Sequence, residues 1–117
     1  MKDYPSVMKA SCNPDDLEFV WNLPISQEEA TQVVFAYLDE DEANPRFTAE
    51  TMRGRAWSNG DIRLPIKPTL GIVLHEIAHV IAWCDNGKSD HHGPAFVKIL
   101  DELVQSEMID RGHRHFN

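Results

Sequence analysis

His75-Glu76-Ile77-Ala78-His79 packs two imidazoles and a carboxylate into five residues, and His92-Gly93 follows after twelve intervening positions. Side chains four apart lie on one face of an α-helix, so His75 and His79 can aim at a single metal ion. Glu76 stands next door, angled toward the same space. A carboxylate there can take a proton from zinc-bound water, whose pKa the metal lowers from about 15.7 toward about 7. The chemistry this pattern predicts is hydrolysis at neutral pH, with Glu76 as general base. A catalytic zinc needs three protein ligands and an open fourth position. His92 supplies the missing ligand and His91 competes with it, a choice that spacing alone leaves open. With six histidines in 117 residues, random order gives roughly 0.02 matches to the five-residue motif, so chance is a poor source for it.

Such a motif works only on a helix. Leu70-Gly71-Ile72-Val73-Leu74 before it and Val80-Ile81-Ala82-Trp83 after it predict one, with Pro68-Thr69 as a start and Asp85-Asn86-Gly87 as a stop. A helix apolar almost all round is a buried helix, and the strongly polar side chains of this one are His75, Glu76 and His79. Core histidines satisfied by hydrogen bonds are the plainer account. Burying three such groups is costly unless something satisfies them, and a metal does. Asp85 and Asp90 could orient a ligand imidazole from behind, although loop or cap roles suit them as well.

The rest of the pattern predicts one α+β domain over residues 1–117. Residues 1–24 hold Pro5, Pro14 and Pro24 around the apolar run Leu17 to Leu23, and read as an extended arm or short strand. Ser26-Gln27-Glu28-Glu29 has the form of a capping box, and Ala30, Val33, Val34, Tyr37 and Leu38 follow at helical spacing. A first helix over Gln27–Asp39 is expected. Asp39-Glu40-Asp41-Glu42 sits at the unfavourable end of that helix's dipole and, with Asn44-Pro45, marks an exit loop. From Arg46 to Ile66 the period becomes two. Asn59-Gly60 predicts a two-residue hairpin with Trp57 facing Ile62 and Arg55 facing Leu64, and Phe47 to Thr51 offers a third strand of a small antiparallel sheet. Pro94 opens a last helix with Phe96, Val97, Leu100, Leu103, Val104 and Met108 on its apolar face, and Gly112 closes it.

A formal charge of −8 and a pI near 5.1 argue against nucleic acid as a partner of the whole surface. The basic spot at Arg111, His113, Arg114 and His115 reads as a solvated tail. No stretch approaches the roughly 18 apolar residues of a membrane span, and the N-terminus lacks the blocks of a signal peptide. A cytoplasmic protein without membrane partners is expected, with Cys12 and Cys84 as reduced thiols.

His75-Glu76-Ile77-Ala78-His79, then a loop, then His92-Gly93-Pro94-Ala95-Phe96, resembles the H-E-x-x-H plus H-G-x-x-F pattern of SprT-like zinc metallopeptidases, a branch of the zincin fold. The resemblance covers about residues 46–104. It implies a minimal zincin-like domain with an N-terminal helix, a small sheet, the H-E-x-x-H helix and a C-terminal supporting helix. It further implies one zinc ion on His75, His79 and His92, with Glu76 as the general base of peptide-bond hydrolysis. His92 is preferred to His91 on the H-G-x-x-F match. A sheet edge strand near Ile62–Leu64 would receive an extended protein or peptide substrate. Larger relatives carry a zinc ribbon or basic DNA-binding segments, and this chain has neither a four-cysteine set nor a basic extension, which argues against DNA-linked proteolysis. An oxyanion donor besides zinc is usual in peptide hydrolysis, and His91, Tyr37 and Arg111 are the candidates. The alternative is a non-catalytic, zinc-stabilised module that binds a peptide or inhibits a partner. A regulatory protease that cleaves a single repressor also uses H-E-x-x-H, but does not need the His92-Gly93 element.

Overall fold

The computed structural model describes residues 14–49, 54–57, 59–86 and 93–111. The elements run α1 (Pro14–Trp21), α2 (Gln27–Tyr37), β1 (Asn44–Thr48), β2 (Arg55–Ala56), β3 (Asp61–Pro65), α3 (Leu70–Asn86) and α4 (Pro94–Asp110). This is the expected α+β class, built around α3, which touches α1, α2, α4, β2 and β3. Every residue from Leu70 to Ala78 is buried, as a helix apolar on all sides must be.

Several elements differ from the sequence expectation, among them β1, which begins at Asn44 in the expected exit loop and ends at Thr48, with Thr51 outside the described residues. Residues 14–21, read as part of an extended arm or strand, are helical. Pro14 opens the helix where its missing N–H costs nothing, and Asp15 and Asp16 meet the positive end of the dipole. Leu17, Val20 and Trp21, spaced by three and four, are buried against the core. The stretch after α1 is extended, and Leu23 O accepts from Leu70 N at 2.9 Å while Ile25 N donates to Pro68 O at 3.1 Å. These bonds pin the entry of α3 to the N-terminal helices.

The sheet is mixed, not antiparallel. Its order is β1-β3-β2, with β1 parallel and β2 antiparallel to β3. β3 is therefore central, and Ile62–Leu64 is not the edge expected to take a peptide. The hairpin register also slips by one residue, with Arg55 opposite Arg63 and Ala56 opposite Ile62. Trp57 N donates to Asp61 O at 2.9 Å and Gly60 N to Trp57 O at 3.0 Å, which makes the loop three residues long. Gly60, at φ +95°, takes the left-handed position that such a loop requires. A Cβ on Gly60 would also drive into the Glu42 carbonyl. Since strand side chains alternate, the slip decides which residues face water. Ile62 and Leu64 stay in the core, and Arg63 stands outside.

Ser26 caps α2 by accepting from Glu29 N at 3.0 Å, as the capping box predicts. Its helix ends at Tyr37, two residues earlier than expected. The Glu29 carboxylate does not turn back to the cap but pairs with Arg111 at 2.7 Å. Arg111 also donates to Glu107, which accepts a 2.6 Å hydrogen bond from the Tyr37 hydroxyl. A polar seam thus fastens α2 to the C-terminal end of α4. Burial, then the Glu107 contact, pushes the Tyr37 phenol up to about 12.

α1 and α3 touch at Gly71, where an added Cβ would lie 2.5 Å from Trp21 Cα and 2.9 Å from Trp21 N. Alanine in a helix is worth about 1 kcal/mol over glycine, whereas overpacking costs about 1–3 kcal/mol. Backbone cannot swing away as a side chain can, so the clash wins. Gly71→Ala should lower the free energy of unfolding by about 1–2 kcal/mol in urea titration; a gain in stability would show that α1 does not pack as described.

Candidate active site

α3 presents His75, Glu76 and His79 on the side reached by α4 and β2. His75 is 8% exposed and Glu76 5%, while His79 is partly open. The Nε2 atoms of the two histidines face each other at 3.2 Å, with ring centroids 4.8 Å apart. Two nitrogens each about 2.05 Å from a tetrahedral zinc stand about 3.3 Å apart, so the pair is already set at ligand spacing. The same distance suits an N–H···N hydrogen bond between neutral rings. By donor chemistry and by geometry the two residues fit a zinc ion.

Aromatic rings hold the imidazoles in place. Phe96, fully buried on the first turn of α4, lies with its centroid 5.1 Å from that of His75 and 4.4 Å from that of His79. Trp21 meets His75 edge-on at 6.1 Å, and Trp83 lies 5.9 Å from His79. Phe96 is four residues beyond His92 and three beyond Gly93, the N-cap of α4, so the chain enters α4 within one turn of the histidine pair. His92, His91 and Asp90 lie outside the described residues, as does Gly112. Among the described residues no group of three His, Cys, Asp or Glu side chains could hold a metal ion.

Glu76 is almost wholly buried, and burial pushes its carboxyl up to about 8. Beside it sits Gly54, which leads into β2 at φ +104°. A Cβ on Gly54 would come 3.2 Å from both Cγ and Oε2 of Glu76. Gly54 is a site residue that the sequence reading passed over; a glycine just before a strand was the available signal for a close approach. Of the proposed oxyanion donors, Tyr37 and Arg111 belong to the seam with Glu107. Glu107 is eleven residues along α4 from Phe96, about 16 Å at 1.5 Å per residue. Neither residue is brought to the histidines.

The model of the SprT-like family matches residues 63–114, a little under half of the chain. No curated protein and no solved structure matches it. No helix among the described residues is long and apolar enough to cross a membrane.

In metal-free protein the buried Glu76 carboxyl stays protonated up to about pH 8, whereas its ordinary value is 4.5. A folded-state pKa raised above the unfolded one gives a contribution that is complete below the unfolded value and is lost as pH rises to the folded value. Wild type should therefore lose stability relative to Glu76→Gln between about pH 4.5 and about pH 8, by a few kcal/mol, and the gap should level off above that window. Denaturant titrations of both chelator-treated proteins across this range measure it. A gap independent of pH would mean that water reaches the carboxylate.

Proposed function

Residues 63–114 are a SprT-like segment, and from that premise we propose that the chain is a zinc-dependent metallopeptidase. The observation that carries the reading is the pair of facing Nε2 atoms at 3.2 Å with the Glu76 carboxyl buried beside them. His75 and His79 would hold the ion. His92, one residue before the cap of α4, would complete the set, since the Phe96 contacts bring the start of that helix to both rings.

Zinc, when bound, supplies Lewis acidity that polarises a scissile carbonyl and makes water acidic near neutral pH. Glu76 accepts a proton from the attacking water and returns it to the leaving amine. A cation close by lowers a carboxyl pKa, so the elevated value in the metal-free site falls toward the basic form that this role needs. Phe96, Trp21 and Trp83 fix the imidazoles and keep bulk water from behind them. A protein or peptide substrate would pair along the outer edge of β2, because Gly54, which leads into that strand, comes close to Glu76. A cytoplasmic setting, with thiols reduced, belongs to the same proposal.

Elemental analysis of untagged wild type, His92→Ala and His91→Ala should find one zinc in wild type and in His91→Ala. His92→Ala should lose it or hold it far more weakly. Retention in His92→Ala with loss in His91→Ala would exchange the two ligands, and no zinc in any of the three after reconstitution would end the metal reading. With zinc in place, Glu76→Gln should keep the ion and lose at least about a hundredfold in peptide hydrolysis, the scale of general-base catalysis. Undiminished turnover in that variant would sink the role given to Glu76. Zinc without cleavage in wild type would leave the zinc-stabilised binding module.

A further inference from the structure

The one-residue slip of the hairpin has a consequence on the opposite side of the sheet from the core. Arg46 is paired in register with Arg63, and Arg63 with Arg55. Residues directly opposite on neighbouring strands point to the same face. All three are exposed, so they form a row of guanidinium groups across β1, β3 and β2. The row spans about 10 Å at the usual strand spacing. Like charges in such positions repel, and among the described residues none of the three makes an ion pair; the salt bridges there belong to Arg111. Arg63 lies over Trp57, 5.1 Å from the ring centroid, and Trp57 is itself 37% exposed. Asn44, Arg46, Trp57, Asp61, Ile62 and Arg63 line a shallow recess of about 310 Å³ at this place.

Three arginines without an ion pair among the described residues make a local positive patch on a chain of formal charge −8, and that patch suits an anion supplied from outside. We propose that this face of the sheet is a docking site for an acidic peptide segment of a partner protein. Arginine is suited to bidentate carboxylate recognition, and Trp57 adds an apolar surface for the rest of the segment. A row of about 10 Å matches two or three acidic side chains of an extended peptide, spaced about 7 Å apart on one side. Nucleic acid fits less well: tight phosphate tracking takes on the order of six to ten contacts. The attraction is confined to the arginine row, because Asp61 lies inside the recess and the acidic residues 39–42 come shortly before β1. The row shares β2 with the proposed substrate edge but lies on the face of the sheet turned away from α3 and Glu76.

The test is fluorescence anisotropy with the full chain and three labelled probes: a short Asp/Glu-rich peptide, its Asn/Gln counterpart, and oligothymidine of equal charge. The acidic peptide should bind saturably, at least about tenfold tighter than the neutral one, and weaken as salt rises from about 50 to about 300 mM. Arg46→Gln/Arg55→Gln should lose at least about tenfold in that affinity. Its melting temperature should equal or exceed that of wild type, because it removes both like-charged neighbours of Arg63 and leaves the Arg63–Trp57 contact. Glu76→Gln should bind as wild type does, whether or not the chain proves to be a peptidase. Equal binding of the neutral peptide, tighter binding of oligothymidine, or an affinity unchanged in the double variant would each overturn the proposal. So would loss of binding in Glu76→Gln, which would move the contact into the cleft.

Discussion

The fold is organised by the cost of placing two imidazoles and a carboxyl in the middle of its most apolar helix. An unsatisfied polar group in such surroundings costs several kcal/mol, and α3 buries His75 and Glu76 within a run that is otherwise all core. The neighbours are arranged to make this tolerable. Phe96 and Trp21 bring ring edges and faces to the histidines. Gly54 brings backbone, without a side chain, against Glu76. Gly71, one turn before His75, lets α1 come close enough for Trp21 to reach that ring. The two glycines and the aromatic residues serve one requirement, which is to close around a polar cluster without filling it.

The α2–α4 seam serves the same requirement from a distance. Phe96 sits on the first turn of α4 and Glu107 on its last. A helix of 17 residues is about 25 Å long, so a small tilt at one end becomes a large displacement at the other. Tyr37, Glu107, Arg111 and Glu29 hold the far end through short, charge-assisted bonds. The orientation of α4 is thereby fixed before any ligand contributes. Tyr37 and Arg111, through Glu107, hold the end of α4 opposite Phe96.

How far the sequence disclosed this depended on the range of the interaction involved. α3 and α4 were legible because each carries its own signal: a long apolar run with the five-residue motif in one, Pro94 and the spacing from Phe96 to Met108 in the other. α1 carried a signal too, Leu17, Val20 and Trp21 after Pro14-Asp15-Asp16, but a short apolar run between two prolines read equally as a strand. The sheet was the least legible element. Asn59-Gly60 announced a turn, yet a two-residue and a three-residue loop share those residues, and only the bonds from Trp57 N to Asp61 O and Gly60 N to Trp57 O show which one formed. That β1 runs parallel to β3 depends on a crossover, which no local pattern records.

The register choice links the two faces of the sheet. Had the two-residue hairpin formed, Arg55 would have faced Leu64 and Trp57 would have faced Ile62, putting an arginine opposite one core residue and the exposed tryptophan opposite another. With the slip, Ala56 joins Ile62 toward α3, Gly54 reaches Glu76, and the arginines of three strands fall into one solvent-facing row. Two glycines with positive φ therefore work together, Gly60 in the loop that sets the charge pattern outside and Gly54 in the close backbone approach to the carboxyl. The repulsion within that row is a cost of the register that brings Gly54 to Glu76, and it is met at the surface, where water screens each guanidinium and Trp57 covers one of them.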